Sequence, residues 1–249
     1  NVVRATAIYL VFFTLMAPEH VLEHTYAAVV LGFDSPNIID LNWAVFAGIV
    51  VGCGFTYATF ALRRWRYKTM TAFGFALAAV YLAWFYFGID YGVEKEALVV
   101  PLFVRGMASV IISIVFLTSI VQSGLHFFVF PQALTVNGFT GAVVGATLGP
   151  ALVGELLRRI MARNLMLAGM TLTASNPSAA ALHPGELFGA ANVQALLVSM
   201  KEIYGILLIA AIAVTAVIAV SYNPVRPWAI FPKWRTIRKT LRRLTLSGT

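Results

Sequence analysis

The residues best equipped for chemistry are crowded into one short stretch, Glu19-His20-Val21-Leu22-Glu23-His24. Glu19 and Glu23 are four apart and share a helix face. His20 and His24 follow about 100° around the same side. Two carboxylates on one face resist simultaneous ionisation, and histidines titrate near neutrality. The group is suited to taking up and releasing a proton. A plainer reading stands beside it: Pro18 ends a helix and the cluster rests among lipid headgroups. Arg105 is the second outlier, a lone cation about eight residues into an apolar run. An unpaired Arg there costs several kcal/mol, so a carboxylate is expected beside it. Glu19 or Glu23 is the expected partner. Such a pair locks two helices, and it is also a switch if protonating the carboxylate breaks it.

The same residues contain His20-x-x-Glu23-His24, the inverted zinc-protease pattern. Two histidines a helical turn apart can hold zinc while the Glu activates water. No third ligand is singled out downstream, so this is the weaker reading. Four scattered histidines do not make a haem site, and no phosphate-binding loop or Ser-His-Asp set is present. No cofactor is expected. The single cysteine, Cys53, excludes an internal disulfide and any site built from several cysteines.

These residues must be positioned by helices in a membrane. The chain has 249 residues, of which 60% are hydrophobic and 11% charged, with a mean hydropathy of +0.84. A water-soluble domain carries about 25% charged residues. Apolar runs of twenty or more exclude the short alternating segments of a membrane barrel. The expected fold is all-α, a polytopic bundle of six transmembrane helices over about 3–31, 41–62, 69–89, 97–121, 127–160 and 191–221. Residues 1–222 form the membrane domain. Residues 223–249 form a basic amphipathic tail whose expected partner is an anionic leaflet, since Phe231, Trp234, Ile237, Leu241 and Leu244 recur among Lys and Arg.

The net charge of +8 reads as topology rather than as nucleic-acid binding, because the basic residues stand at the ends of apolar segments. Arg63-Arg64-Trp65-Arg66-Tyr67-Lys68 and the tail fall on one side with Arg4. By the positive-inside rule that side is the cytoplasm, with both termini there. Arg158, Arg159 and Arg163 lie at the opposite side, where they can reach headgroups.

The fifth span carries Gly141, Gly145 and Gly149 at four-residue spacing, a smooth stripe for close helix packing. Pro150 follows and is expected to bend the helix. Gln132 and Asn137 in the same span are candidate cavity-lining groups. Glu155 has Arg158 and Arg159 at i+3 and i+4, an ordinary ion-paired set.

Six spans, a basic connection between spans 2 and 3, and Gly145-Ala146-Thr147-Leu148-Gly149-Pro150 together resemble one half of a major facilitator superfamily transporter. The fifth helix of drug antiporters in that superfamily holds a motif ending G-x-x-x-G-P-x-x-G-G, and Gly154 stands here one residue later than its last glycine. Val104-Arg105-Gly106-Met107 is similar to the start of the fourth helix in the C-terminal half of the fourteen-span drug:proton antiporters. Gln194 to Gly205, with Lys201-Glu202-Ile203-Tyr204, is similar to the start of their last helix. The resemblance covers nearly the whole chain. It implies export of small amphipathic compounds by proton exchange in a bacterial inner membrane, with the first and fourth helices lining the cavity. That is where Glu19, Glu23 and Arg105 fall, and proton binding at Glu19 and Glu23 is expected to be tuned by His20, His24 and Arg105. The implied partners are a small-molecule substrate, protons, and a missing N-terminal half or a second copy. The chain is expected to be a C-terminal fragment of such an exporter and not an enzyme. The rival readings are a non-transporting membrane assembly subunit and a metal-dependent membrane enzyme.

Overall fold

A computed structural model describes residues 2–122, 131, 135, 138–171 and 184–221. All regular structure among them is helical, and six helices are long and apolar enough to cross a membrane. The α-helices are α1 (Val2–Met16), α2 (Ser35–Thr56), α3 (Tyr67–Gly88), α4 (Lys95–Gln122), α5 (Gly149–Thr171) and α6 (Pro184–Ser221). Wider π turns extend three of them. Glu19–Glu23 and Tyr26–Val30 prolong α1, Tyr57–Leu62 prolongs α2, and Thr140–Leu148 leads into α5. Each helix with its π segment is one span. Gln132, Asn137, His126, His183 and the tail 223–249 lie outside the described residues.

Span 1 crosses Pro18 without ending there. Pro18 has no N–H to give, and helical hydrogen bonding resumes as i→i+5 turns beyond it. This settles how a clean apolar stretch of only Ala5 to Ala17 makes a full crossing: the polar segment is part of the span. The span closes at Gly32, whose φ of 65° is open to glycine at little cost. The Phe33 N–H bonds back to the Ala27 carbonyl at 2.9 Å. Asp34, extended, precedes α2, which has Pro36 in its first turn. The helix therefore starts at Ser35, six residues ahead of the apolar run expected from Leu41.

The helices around the fifth crossing also differ from the expected apolar bounds. α5 runs on to Thr171 and α6 begins at Pro184, whereas the apolar runs end near 160 and start near 191. The helical stretches apolar enough to cross a membrane run over Thr140–Gly169 and Gly185–Val220, longer than the apolar runs alone suggest. Lys201-Glu202 consequently lies well inside α6 rather than at its start.

Spans 1, 3, 4 and 6 share the core. Phe12, Tyr26, Phe75, Tyr81, Phe85, Ile112, Met200 and Tyr204 are buried there. Tyr9 stacks on Phe116 at 4.2 Å and Phe12 meets Phe75 edge-on at 5.6 Å, fastening span 1 to spans 4 and 3. Span 2 packs along span 4, backbone to backbone. A Cβ at Gly48 would strike the Phe103 carbonyl, and one at Gly106 would strike the Val45 carbonyl. Gly48 and Gly52 form a small-xxx-small pair of the kind that allows this approach. The Gly145 and Gly149 stripe of span 5 does the same against span 1, where added Cβ atoms would meet Phe13 and Ala17. Hydroxyls within the spans bond back along their own helices, as Thr56 does to the Gly52 carbonyl at 2.7 Å and Thr71 to the Tyr67 carbonyl at 2.8 Å.

The contact between spans 2 and 4 makes a prediction. Gly106→Leu should lower the thermal unfolding temperature in detergent sharply, since overpacking costs about 1–3 kcal/mol or more. Gly54→Ala should leave it nearly unchanged, because nothing lies within 4 Å of that position. Equal behaviour of the two variants would contradict the packing.

Candidate functional site

The site is assembled where four spans converge. Seven residues separate Glu23 from the end of span 1 at Val30, and seven separate Tyr81 from the end of span 3 at Gly88. That is about 10 Å of helix, at roughly 1.5 Å per residue. Arg105 enters from the same end of the bundle, on span 4. The site therefore lies within the helical layer, toward the end that carries the 31–34 and 89–94 connections.

Arg105 Nη1 donates to Glu23 Oε2 at 2.5 Å, and its Nε lies 3.8 Å from Glu19 Oε2. The expected pairing of Arg105 with a carboxylate of span 1 is present, and both carboxylates take part unequally. The Glu23 and Arg105 side chains are 14% and 11% exposed, against 26% for Glu19. The other Glu23 oxygen, Oε1, accepts the Tyr81 hydroxyl. Glu23 is thus held by a cation from span 4 and a neutral donor from span 3. A π turn is wider than an α turn, so residues four apart stack more nearly above one another along it. That is why Glu19 and Glu23 both reach the same guanidinium.

A cavity of about 380 Å³ opens beside this group. Glu19, Glu23, His24 and Arg105 line its polar side together with Asn42 of span 2, and Leu41, Phe85, Leu98 and Leu102 line its apolar side. The mixture of a charged corner and an apolar wall suits a small amphipathic molecule. Its rim is tied down by polar contacts. The Tyr26 hydroxyl donates to the Asp90 carbonyl at 2.7 Å and accepts the Asp90 N–H at 3.2 Å. Lys95 bridges to Asp40 at 2.7 Å and Asn37 at 3.0 Å, joining spans 4 and 2.

The remaining expected residues fall in different places. His24 lines the cavity. The backbone of His20 is in the π turn with the two carboxylates. Gln132 and Asn137 are not among the described residues. Gly145 and Gly149 pack on span 1 and so support the segment that bears the carboxylates, while Gly141 has Phe13 at ordinary contact distance. At Gly149, next to Pro150, the helix changes from π to α hydrogen bonding. Glu155 bonds Arg158 at 2.9 Å and Arg159 at 2.7 Å on an exposed face. Arg163 is in α5 and not in a connection, and it pairs with Glu202 of α6 at 2.5 Å. Among the described residues, no group of three His, Cys, Asp or Glu side chains is arranged to hold a metal ion.

Sequence reasoning passed over Tyr81, Asn42 and Phe85. Tyr81 sits in the aromatic run Tyr81-Leu82-Ala83-Trp84-Phe85 and looks like packing. One signal could have found it. A phenol deep in an apolar span still needs an acceptor, and the acidic stretch of span 1 offers the nearest ones. No protein-family model, no curated protein and no solved structure matches the chain.

Breaking this pair one partner at a time should be costly. Arg105→Met alone leaves a buried carboxylate without its cation and should destabilise the protein by about 3–5 kcal/mol. Adding Glu23→Gln should recover most of that loss. A double-mutant cycle on detergent-phase unfolding checks it, and strictly additive losses would show that the two side chains do not interact.

Proposed function

We propose that the chain is the C-terminal half of a proton-coupled exporter of small amphipathic compounds, of the major facilitator type, working by alternating access. The observation that carries this reading is the Glu23 carboxylate, held between Arg105 and Tyr81 at the wall of a cavity large enough for a small molecule. Ionisable groups inside a membrane span usually face a water-filled path or a partner. Here Glu23 and Arg105 have both, since the pair is exposed to the cavity at one edge.

The mechanism follows from charge. With Glu23 ionised, Arg105 draws spans 1 and 4 together and Tyr81 adds span 3. A proton arriving through the cavity neutralises Glu23, and the attraction for Arg105 lapses. Arg105 then turns to Glu19, and the spans are free to adopt a second arrangement. A substrate and a proton that compete for the same corner would be exchanged across the membrane. Glu19, His24 and Asn42 orient the substrate, and His20 assists proton exchange. In this reading the six-span unit pairs with a second six-span unit, and the substrate passes between them. The basic connection Arg63–Lys68 and both termini are cytoplasmic, in a bacterial inner membrane. No cofactor is required, and the chain is not an enzyme.

The reading is tested in the whole transporter, in membrane vesicles with an imposed proton gradient and ethidium as the transported dye. Glu23→Gln should reduce proton-driven efflux at least about tenfold, the effect of losing one essential protonatable group. Insertion into the membrane should be retained. Glu155→Gln, on the exposed face, should transport like the unaltered protein. Undiminished efflux in Glu23→Gln would remove Glu23 from the coupling mechanism.

Orientation is tested separately. In a Cys53→Ser background, a cysteine at Arg66 should be reached by a membrane-impermeant maleimide only from the cytoplasmic side, and one at Glu94 only from the opposite side. The reverse pattern would invert the topology.

A further inference from the structure

The Tyr204 hydroxyl is unusual in this bundle. Tyr204 is fully buried in span 6, and its hydroxyl has no hydrogen-bond partner. It faces the Tyr81 hydroxyl without meeting hydrogen-bond geometry, and it shares the electrostatic neighbourhood of Glu23, Arg105 and Tyr26. A buried donor left unsatisfied costs about 1–3 kcal/mol. The nearby Tyr81 oxygen has acceptor capacity to spare, because Tyr81 spends its only O–H on Glu23. A small approach of span 6 to span 3 would complete the chain Tyr204 to Tyr81 to Glu23.

Phe85 stands where that approach is controlled. Its ring stacks on Tyr204 at 5.0 Å with an interplanar angle of 17°, and it meets Tyr81 edge-on at 5.2 Å. It also lines the cavity. A molecule entering the cavity bears on Phe85, and Phe85 bears on both tyrosines.

We infer that Tyr204 is a positioning residue for proton exchange: it acts on Glu23 through Tyr81, and Phe85 links its position to occupancy of the cavity. When the Tyr204 O–H donates to Tyr81, the Tyr81 O–H becomes a stronger donor to the carboxylate, since donors in series polarise one another. The ionised form of Glu23 is favoured and the proton leaves to cavity water. When span 6 draws away, Tyr81 donates more weakly and Glu23 takes a proton back from the same water. Both tyrosines keep their own protons throughout. The other groups facing Glu23 are Arg105 from span 4, Asn42 across the cavity from span 2, and Glu19, His24 and Tyr26 on its own span. None of these lies on span 6, and Tyr204 is the polar side chain that span 6 brings beside Glu23 and Tyr81. The inference rests on the proton-carrying reading of Glu23.

The test uses the full chain in liposomes, followed by infrared spectroscopy across pH. The protonated-carboxyl band of Glu23 is identified by its loss in Glu23→Gln. Tyr204→Phe should move the midpoint of that band to higher pH, by a threefold to tenfold change in proton affinity, roughly one hydrogen bond's worth. In a Tyr81→Phe background the same change should have no further effect, since the link is gone. Phe85→Leu, which removes the ring that Tyr204 stacks on, should move the same midpoint, and should not move it further in a Tyr204→Phe background. An unmoved midpoint in Tyr204→Phe beside a moved one in Tyr81→Phe would overturn the inference while leaving the function standing, as would a Tyr204→Phe shift that persists without the Tyr81 hydroxyl. An unmoved midpoint in Phe85→Leu would overturn the link to the cavity. A Glu23 band that does not titrate in the unaltered protein would remove the function and this inference together.

Discussion

A charge inside a membrane span has to be paid back locally, and in this protein the repayment organises everything around it. Arg105 and Glu23 are brought together from spans that are distant in sequence, and each is nearly removed from solvent. Either one alone would carry a large desolvation penalty, so the arrangement of spans 1 and 4 is constrained to whatever brings the two within hydrogen-bonding reach. Tyr81 extends the constraint to span 3, because it donates to the carboxylate oxygen that Arg105 leaves free. The apolar core fills the space around these contacts and gives them no direction of its own, since lipid is as apolar as a leucine.

Close backbone approach fixes the helix spacing across which these side chains meet. Gly106 adjoins Arg105 in sequence and lies directly against the Val45 carbonyl of span 2, so the helix bearing the arginine is seated by its neighbour residue. Gly145 and Gly149 seat span 1 from the other side, close to Pro18 and the π turn. The glycines thus bear on the site through position: they set the helix spacing at which Glu23 is held and still borders a cavity.

Much of this could be seen in the residues themselves. Glu19, Glu23 and Arg105 stand out since charge is rare in an apolar span, and the need for a partner follows from cost alone. The six apolar runs and the stripe at Gly141, Gly145 and Gly149 were visible for the same reason, as departures from a uniform background. Tyr81, Phe85 and Tyr204 were not visible, because 13% of the chain is aromatic and a tyrosine that bonds a carboxylate looks like one that packs. Gly48 and Gly52 escaped notice as well, lying in a run with nothing else to mark it. Helix ends were the least legible: α2 starts at Ser35, with an extended Asp34 before it and Pro36 in its first turn, ahead of the apolar run.

The central claim is that the ionised Glu23 holds spans 1 and 4 together and that protonation lets them part. The most direct measurement is the distance between those spans at two pH values. Spin labels at Val29→Cys and Glu96→Cys, in the full chain with Cys53→Ser, would report it by double electron–electron resonance in liposomes. The account predicts a single short distance at alkaline pH and a second, longer population on acidification, with the Glu23→Gln variant showing both populations at every pH. An identical distance distribution at both pH values in the protein with Glu23 intact would contradict it.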